Sequence, residues 1–136
     1  MKKADEDKSS IKLVAMSQVV GIIGASDNPN KYAYLAAESL ESNGFEVVRI
    51  NPFKNSIHGT PCYQSLKDAP VEVDCVTVYV NSARFKDHLE SVVDAKPKRI
   101  IFNPGAEAPD SYPILEENNI EVIEDCTLVM LDTGHF

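Results

Sequence analysis

The segment VVGIIGASDNPNKYAY, residues 19–34, contains the residues best suited to hold a phosphate. Gly24 permits a tight turn and a close approach of the backbone to an anion. Ser26 can donate its hydroxyl and cap the following helix, whose positive N-terminal end attracts the same anion. Because the full G-x-G-x-x-G pattern is missing, an ordinary glycine turn between a strand and a helix explains the segment equally well.

A second candidate position follows the apolar run FEVVRI, where the chain continues with Asn51 and Pro52. Proteins that bind NAD usually carry an Asp or Glu here to hold the ribose diol. A neutral Asn and a rigid Pro, flanked by Arg49 and Lys54, suit a phosphorylated adenosine better than a free 2′,3′-diol. A proline-stiffened strand end with solvated charges is the plainer alternative, and it is favoured for each residue taken singly.

The sequence offers few candidate catalytic groups. Glu107 belongs to a loop that should face a ligand, where it would act as a base or remain a solvated charge. A single carboxylate without a partner rarely defines a reaction, so the second role is favoured. His58, His88 and His135 have no sequence neighbour that suggests a triad or a metal site, and we expect them at the surface or in loops.

Composition limits the class of partner. The chain has 136 residues, which predicts one domain, and its formal net charge of −8 argues against general nucleic-acid binding. That charge still allows one small anionic ligand held by backbone amides and local cations. No apolar run reaches the roughly 18 residues that a membrane span needs. Acidic residues follow the N-terminal Lys pair where a signal peptide would be apolar, so we expect a cytoplasmic protein.

The elements that must position these residues alternate along the chain. Short apolar runs predict strands at 18–24, 45–50, 73–80, 99–103 and 120–124. Helical patterns occupy 31–43, the stretch from Asn81 or Ser82 to about 95, and 110–119. The connection 51–72 is predicted to be irregular apart from one helical turn near 64–68.

This alternation predicts parallel strands joined by right-handed crossovers. We expect an α/β, Rossmann-like fold of three layers, with a parallel sheet of about five strands in the order 3-2-1-4-5 and helices on both faces. A switch point between strands 1 and 4 would bring the loops 24–31 and 103–109 together, with the loop from Asn51 on the opposite flank. Residues 1–16 would form a tail or a short helix, and 17–136 the domain.

Several stretches together are familiar. GASDNPNKYAYLAAESLESNGFEVVRINP, IHGTPCYQSL, IIFNPGAE and IEVIEDCTLVML resemble the small single-domain CoA-binding proteins of the YccU-like family. Their nucleotide-binding core is similar to the CoA-binding domain of the succinyl-CoA synthetase alpha subunit. The resemblance extends over residues 17–131 and implies a Rossmann-like domain that binds coenzyme A or an acyl-CoA, without catalysis of its own.

The resemblance also implies roles for residues of the opening segment. Gly24, Ala25 and Ser26 match the turn that receives the CoA pyrophosphate. Lys31 stands where relatives often have Arg, so it keeps a charge near the phosphate but loses the bidentate fork. Apart from the resemblance, the neighbouring Tyr32 is a candidate to shield the adenine or a phosphate.

Two further loops match the family pattern. Asn51 and Pro52 correspond to the loop that lines the adenosine side, and Asn103, Pro104 and Gly105 to the loop that faces the pantetheine path. Arg84 lies a helical turn beyond the third predicted strand, so the resemblance carries no contact over to it.

Four functional hypotheses stay open beside or within this one. An acyl-CoA-dependent enzyme or enzyme subunit would use Glu107. A CoA-sensing or redox-sensing regulatory protein would act through an unidentified partner, and a homodimer is also plausible. Cys126 or Cys62 could form a mixed disulfide with bound CoA, although a free cysteine more often packs as a small hydrophobe. An NAD-binding module is disfavoured by Asn51.

Overall fold

The computed structural model describes residues 18–136. The predicted tail or short helix at 1–16 lies outside these residues. The strands are β1 Val19–Ile23, β2 Glu46–Ile50, β3 Ser56–Ile57, β4 Thr60–Tyr63, β5 Cys75–Val78, β6 Arg99–Phe102 and β7 Glu121–Glu124. The helices are α1 Tyr32–Ser42, α2 Ser82–Phe85, α3 Leu89–Ala95, α4 Tyr112–Glu117 and α5 Thr127–Asp132, with 3₁₀ turns at Leu66–Asp68, Lys86–His88 and Pro109–Ser111.

The predicted α/β, Rossmann-like fold is confirmed, but the strand count and order differ from the prediction. The sheet has seven strands in the order β3-β4-β2-β1-β5-β6-β7. All neighbouring strands run parallel except the β3–β4 pair. The prediction put the 73–80 strand beside β2, whereas β5 pairs with β1 and β6, and β4 takes the place beside β2.

The strands β3 and β4 come from the connection that was predicted to be irregular. They form an antiparallel hairpin whose two-residue loop is His58-Gly59. Both loop residues have positive φ, 50° and 82°, as a type I′ hairpin turn requires. The switch point therefore lies between β1 and β5, and the loop after β6 is one strand farther from the first turn than predicted.

Helices cover both faces of the sheet, as predicted. One apolar cluster joins Ile22 and Val20 of β1 to Leu40 of α1 and Met130 of α5. The other joins the opposite face of the sheet to Phe85 and Val92, on the chain between β5 and β6, and to Leu115 of α4. The central strands are buried on both sides, which explains their continuous apolar sequences.

Local signals at the helix ends also agree with the sequence. Helix α1 stops at Asn43, and Gly44 follows with a φ of 90°, which favours glycine after a helix. The side chain of Asn81 accepts a hydrogen bond from the backbone nitrogen of Arg84 and so caps α2. Within residues 18–136, no helix is long and apolar enough to cross a membrane.

Candidate functional site

The turn after β1 is shaped by Gly24. Its φ is 94°, and a Cβ at this position would come within 2.9 Å of Cγ1 of Val80 and 3.1 Å of the carbonyl carbon of Tyr79. The amide nitrogens of Gly24 and Ala25 both donate to the carbonyl oxygen of Ile50, at 2.9 and 3.1 Å. Both amides are therefore hydrogen-bonded to the end of β2. The absence of a side chain at Gly24 allows the loop after β5 to pack directly against the turn.

The loop after β2 holds this turn in place. Nδ2 of Asn51 donates to the carbonyl oxygen of Ala25 at 2.8 Å, and Oδ1 of Asn51 accepts from the backbone nitrogen of Phe53 at 2.9 Å. Asn51 thus links the two loops that the sequence predicted to lie together. Its amide is bonded to the protein on both sides, so it positions the turn.

Charged groups add a second link between the same loops. Nζ of Lys54 lies 3.1 Å from Oδ2 of Asp27, and the hydrogen bond and the charge of Lys54 together lower the pKa of that carboxyl. Nε2 of His58 lies 2.8 Å from the carbonyl oxygen of Asp27 and donates to it in the Nε2–H tautomer. Asp27 is therefore held by Lys54 through its side chain and by His58 through its backbone oxygen.

Donors that face outward remain at the start of α1. Oγ of Ser26 accepts from the backbone nitrogen of Asn28 at 3.0 Å, which leaves the hydroxyl proton for another acceptor. Lys31 is the exposed N-cap residue of the 11-residue helix α1, and its side chain forms no capping bond. The amide of Tyr34 donates to the carbonyl oxygen of Lys31, so the amides at the very start of the helix, those of Tyr32 and Ala33, are the ones that point toward a ligand. A residue with a free hydroxyl proton, a lysine and a helix end with positive partial charge thus follow one another on the chain between β1 and α1.

An apolar recess opens on the β5–β6 side of the turn. Its volume is about 380 Å³, and it is lined by Tyr32, Tyr79, Asn103, Pro104, Cys126, Leu128 and Val129. The structure thereby brings together three predicted site residues, Tyr32, Asn103 and Pro104. Tyr79 and the α5 pair Leu128-Val129 were missed, although both follow apolar runs that end at this edge of the sheet. We call this apolar recess the Cys126 recess.

Asn103, which lines the Cys126 recess, belongs to a buried polar network. Asn103 is 3% exposed, its Nδ2 donates to Oγ1 of Thr77 at 2.6 Å and to the carbonyl oxygen of Val78 at 2.9 Å, and its Oδ1 accepts from the backbone nitrogen of Thr127 at 2.8 Å. The hydroxyls of Thr77 and Thr127 are 2.7 Å apart. Asn103 therefore fixes the start of α5 against β5 and β6.

The predicted residues Gly105 and Glu107 do not line the Cys126 recess. The backbone nitrogen of Gly105 donates to Oε1 of Glu107 at 3.0 Å, so the carboxylate closes its own exposed loop. Its neighbour Tyr112 donates to Glu124 at 2.7 Å, and burial together with that bond raises the pKa of Tyr112 to about 12. Among residues 18–136, no second acid or histidine is hydrogen-bonded to Glu107.

A second recess, of about 320 Å³, lies beyond β2. It is lined by Pro52, Phe53, Gln64, Ser65, Arg84, Asp87 and His88. The guanidinium carbon of Arg84 stands 5.3 Å from the centre of the Phe53 ring, which is 76% exposed. Pro52 therefore lies where the sequence predicted, and Arg84 belongs to the same surface, which the sequence did not indicate. We call it the Arg84 recess.

His88 corrects one expectation, because it is buried and not at the surface. It is 4% exposed, and its Nδ1 meets no hydrogen-bond partner in the described part of the chain. Burial lowers the pKa of His88, with Asp87 acting in the opposite direction. The cause is the 3₁₀ turn Lys86–His88, whose three-residue period puts His88 on the same inward face as the buried Phe85. His58 and His135 are exposed, as expected.

The cysteines differ sharply in environment. Cys62 and Cys75 are buried, and burial raises the pKa of both thiols, that of Cys75 to about 11. Cys126 is partly exposed and lines the recess named after it.

Over residues 18–136, no cluster of His, Cys, Asp and Glu is arranged to hold a metal ion. A wider groove, of about 710 Å³, opens near Val73 and Lys96 at the opposite edge of the sheet and holds no predicted site residue.

Known proteins resemble this chain over most of its length. A family model described as a CoA binding domain matches residues 18–132. The crystal structure of an uncharacterized protein is 39% identical, with a TM-score of 0.82, and the match covers 88% of this chain and 98% of that one. The uncharacterized protein YneT of Bacillus subtilis (strain 168) is 24% identical over 119 residues, 87% of this chain and 88% of its own.

A larger relative matches over a small part of its length. The ADP-forming acetate–CoA ligase of Methanocaldococcus jannaschii is 30% identical over 114 residues, which are 83% of this chain and 16% of the ligase.

Proposed function

The chain belongs to the CoA binding domain family, and we propose that it binds coenzyme A or an acyl-CoA at the carboxyl edge of its sheet. One observation carries the proposal: two recesses of different character open at this edge of the sheet, one beside the loop after β2 and the other beside the loops after β5 and β6, and β2 and β5 are the strands that flank β1. The Arg84 recess offers an aromatic ring and a guanidinium, and the Cys126 recess is mostly apolar. CoA has parts in the same order, a flat base, a charged pyrophosphate and a long arm that ends in a thiol or acyl group.

The pyrophosphate would bind at the start of α1. The hydroxyl of Ser26, the ammonium group of Lys31 and the amides of Tyr32 and Ala33 would bind it together. Gly24, Ala25 and Asn51 would act indirectly, because their polar groups hold the turn in shape. This local gathering of donors allows an anion to bind although the chain carries a net charge of −8.

The two ends of the ligand would enter the two recesses. The base would lie between Pro52, the Phe53 ring and Arg84, where stacking and cation–π contact are available. The arm would pass Tyr32 and Pro104 toward Cys126, along apolar walls. Glu107 would stay outside the path, and no observation favours a reaction at its carboxylate.

Calorimetric titration with CoA, acetyl-CoA, ADP and NAD tests the proposal. We expect saturable binding of CoA and acetyl-CoA, and weaker binding of NAD because Asn51 cannot replace the acid that holds a ribose diol. The double variant Ser26→Ala, Lys31→Ala should weaken CoA binding about tenfold or more, since hydrogen bonds to charged groups contribute about 1.5–3 kcal/mol.

The matched control is Ser42→Ala, Lys67→Ala, which removes the same two residue types elsewhere on the surface and should bind CoA like the wild type. A folded wild-type protein that fails to bind CoA, or that binds NAD as tightly, contradicts the proposal.

A second candidate function, redox-linked capture of CoA, is favoured by the position of Cys126. Its thiol lines the recess for the arm, whereas the other two thiols are buried. The Cys126 thiolate would attack CoA disulfide, form a mixed disulfide and release one CoA thiolate. Intact-mass measurement after exposure to CoA disulfide should show one adduct, which Cys126→Ser removes. An unmodified wild type, or the same adduct in the variant, excludes this function.

A further inference from the structure

Two cations flank Asn51 in the sequence, and the structure separates their roles. The guanidinium of Arg49 donates to both carboxylate oxygens of Glu41, at 3.1 and 3.2 Å, and so is paired with α1. Lys54 instead reaches the turn after β1, where its ammonium group lies 3.1 Å from Asp27. Both cations are paired, but Lys54 is the more exposed of the two and lies at the carboxyl edge of the sheet, beside the turn after β1.

Lys54 stands where a ribose phosphate would be recognised. In Rossmann folds that bind dinucleotides, an acid after β2 holds the adenosine ribose of NAD, and an arginine nearby accommodates the ribose phosphate of NADP. Coenzyme A carries such a phosphate on its 3′-oxygen, and dephospho-CoA lacks it. The Lys54 side chain is 33% exposed, so it can be reached without rearrangement of the core.

Asp27 competes for this cation. Its carboxylate is 49% exposed and directly follows Ser26, so it puts a fixed negative charge between the pyrophosphate turn and the ribose side. His58 holds the backbone oxygen of Asp27, which limits the freedom of the carboxylate to move away. A 3′-phosphate that takes Lys54 leaves Asp27 unpaired and close to ligand anions.

On the basis of the proposed function, we propose that Asp27 is a specificity-determining residue, which competes with the 3′-phosphate of coenzyme A for Lys54. The site then binds CoA less tightly than its cations alone would allow. It also discriminates less between CoA and dephospho-CoA, because the extra phosphate must displace a carboxylate.

Titrations of CoA and dephospho-CoA at low salt test this inference. Asp27→Asn should tighten CoA binding roughly two- to fivefold, the range expected for an exposed ion pair, and should change dephospho-CoA binding less. In a Lys54→Met background, the same substitution should no longer favour CoA over dephospho-CoA. Asp94→Asn, which removes an equal charge beside the opposite groove, should leave both affinities unchanged.

The possible results separate the inference from the proposed function. If the wild type binds CoA but Asp27→Asn binds it equally or more weakly, or tightens both ligands alike, the competition proposed for Asp27 is wrong. The same follows if the CoA preference gained by Asp27→Asn survives in the Lys54→Met background. If the folded wild type binds neither ligand, the proposed function fails and the inference fails with it.

Discussion

At the scale of single residues, two asparagines at the predicted edge of the sheet have their side-chain amides engaged by the protein itself. Asn51 and Asn103 were both predicted to line the ligand path, and both lie at the carboxyl edge of the sheet. Their amide groups, however, are hydrogen-bonded to protein atoms at both ends. Buried or half-buried amides need such partners, which sequence spacing does not reveal. We therefore regard them as residues that hold loops in place.

Gly24 yields a prediction at the same scale. Gly24→Ala combines a positive φ with a Cβ only 2.9 Å from Val80, whereas Gly44→Ala has nearly the same φ and no atom within 4 Å. We expect Gly24→Ala to lower the free energy of unfolding by about 1–3 kcal/mol more than Gly44→Ala does, because neighbouring loops must shift. Urea denaturation measures both.

The same pair of variants should also separate in CoA binding. Gly24→Ala should weaken it by displacing the turn, and Gly44→Ala should not. Equal losses of stability in the two variants would mean that backbone strain alone, without the close contact to the loop after β5, explains the glycine.

At the scale of elements, the long apolar runs were predictable and the short hairpin was not. The strands β1, β2, β5, β6 and β7 and the helix α1 all lie within about two residues of their predicted ends. β3 and β4 have two and four residues, and β4 contains Pro61, so neither shows the alternation that marks a strand.

The error in strand order has one physical source. If β4 is counted as the third strand, the sheet from β4 to β7 follows the Rossmann order 3-2-1-4-5-6. The Rossmann strand order therefore applies to this sheet. Because β4 was not predicted, the strand at 73–80 was assigned the position beside β2 that β4 occupies. The local signal for the hairpin was the dipeptide His58-Gly59. It forms the same type of turn as Asn-Gly but is less strongly associated with hairpins.

The candidate site was predictable in the same uneven way. The turn, the Pro52 loop and the Pro104 loop could be located because strand ends meet at one edge of a parallel sheet. Arg84 could not, because its contact with Phe53 depends on how α2 packs beside the β2 loop. Glu107 was expected to face the ligand. Its loop follows β6, which is separated from β1 by β5, and its carboxylate accepts a hydrogen bond from the backbone nitrogen of Gly105 in the same loop.

At the scale of the whole molecule, the fold brings three cations to one edge of an acidic chain, with Asp27 and Asp87 close to two of them. Lys31, Lys54 and Arg84 follow three different elements and surround the turn after β1 or the recess beside it. An anionic ligand would meet local attraction despite the overall repulsion of a protein with a net charge of −8. Salt should therefore weaken binding chiefly through these exposed groups.

The free energy of unfolding of the domain should depend on pH through the buried His88. Its pKa is lowered by burial from the ordinary value of 6.5, so in mildly acidic solution the unfolded chain binds more protons than the folded one. Stability is then highest above the unfolded pKa and falls as the pH drops toward the lower, folded pKa. Urea denaturation between about pH 7 and pH 5 should show this decline.

The variant His88→Leu should flatten that decline without a loss of stability near pH 7. Leucine removes both the titrating ring and the Nδ1 atom that has no partner among the described residues, and an apolar side chain suits the site beside Phe85. His135→Gln is the matched control, because His135 is exposed and should leave the slope of the wild type unchanged. A slope that His88→Leu leaves intact would assign the acid sensitivity to the carboxylates, among them Asp27, whose lowered pKa acts with the same sign at lower pH.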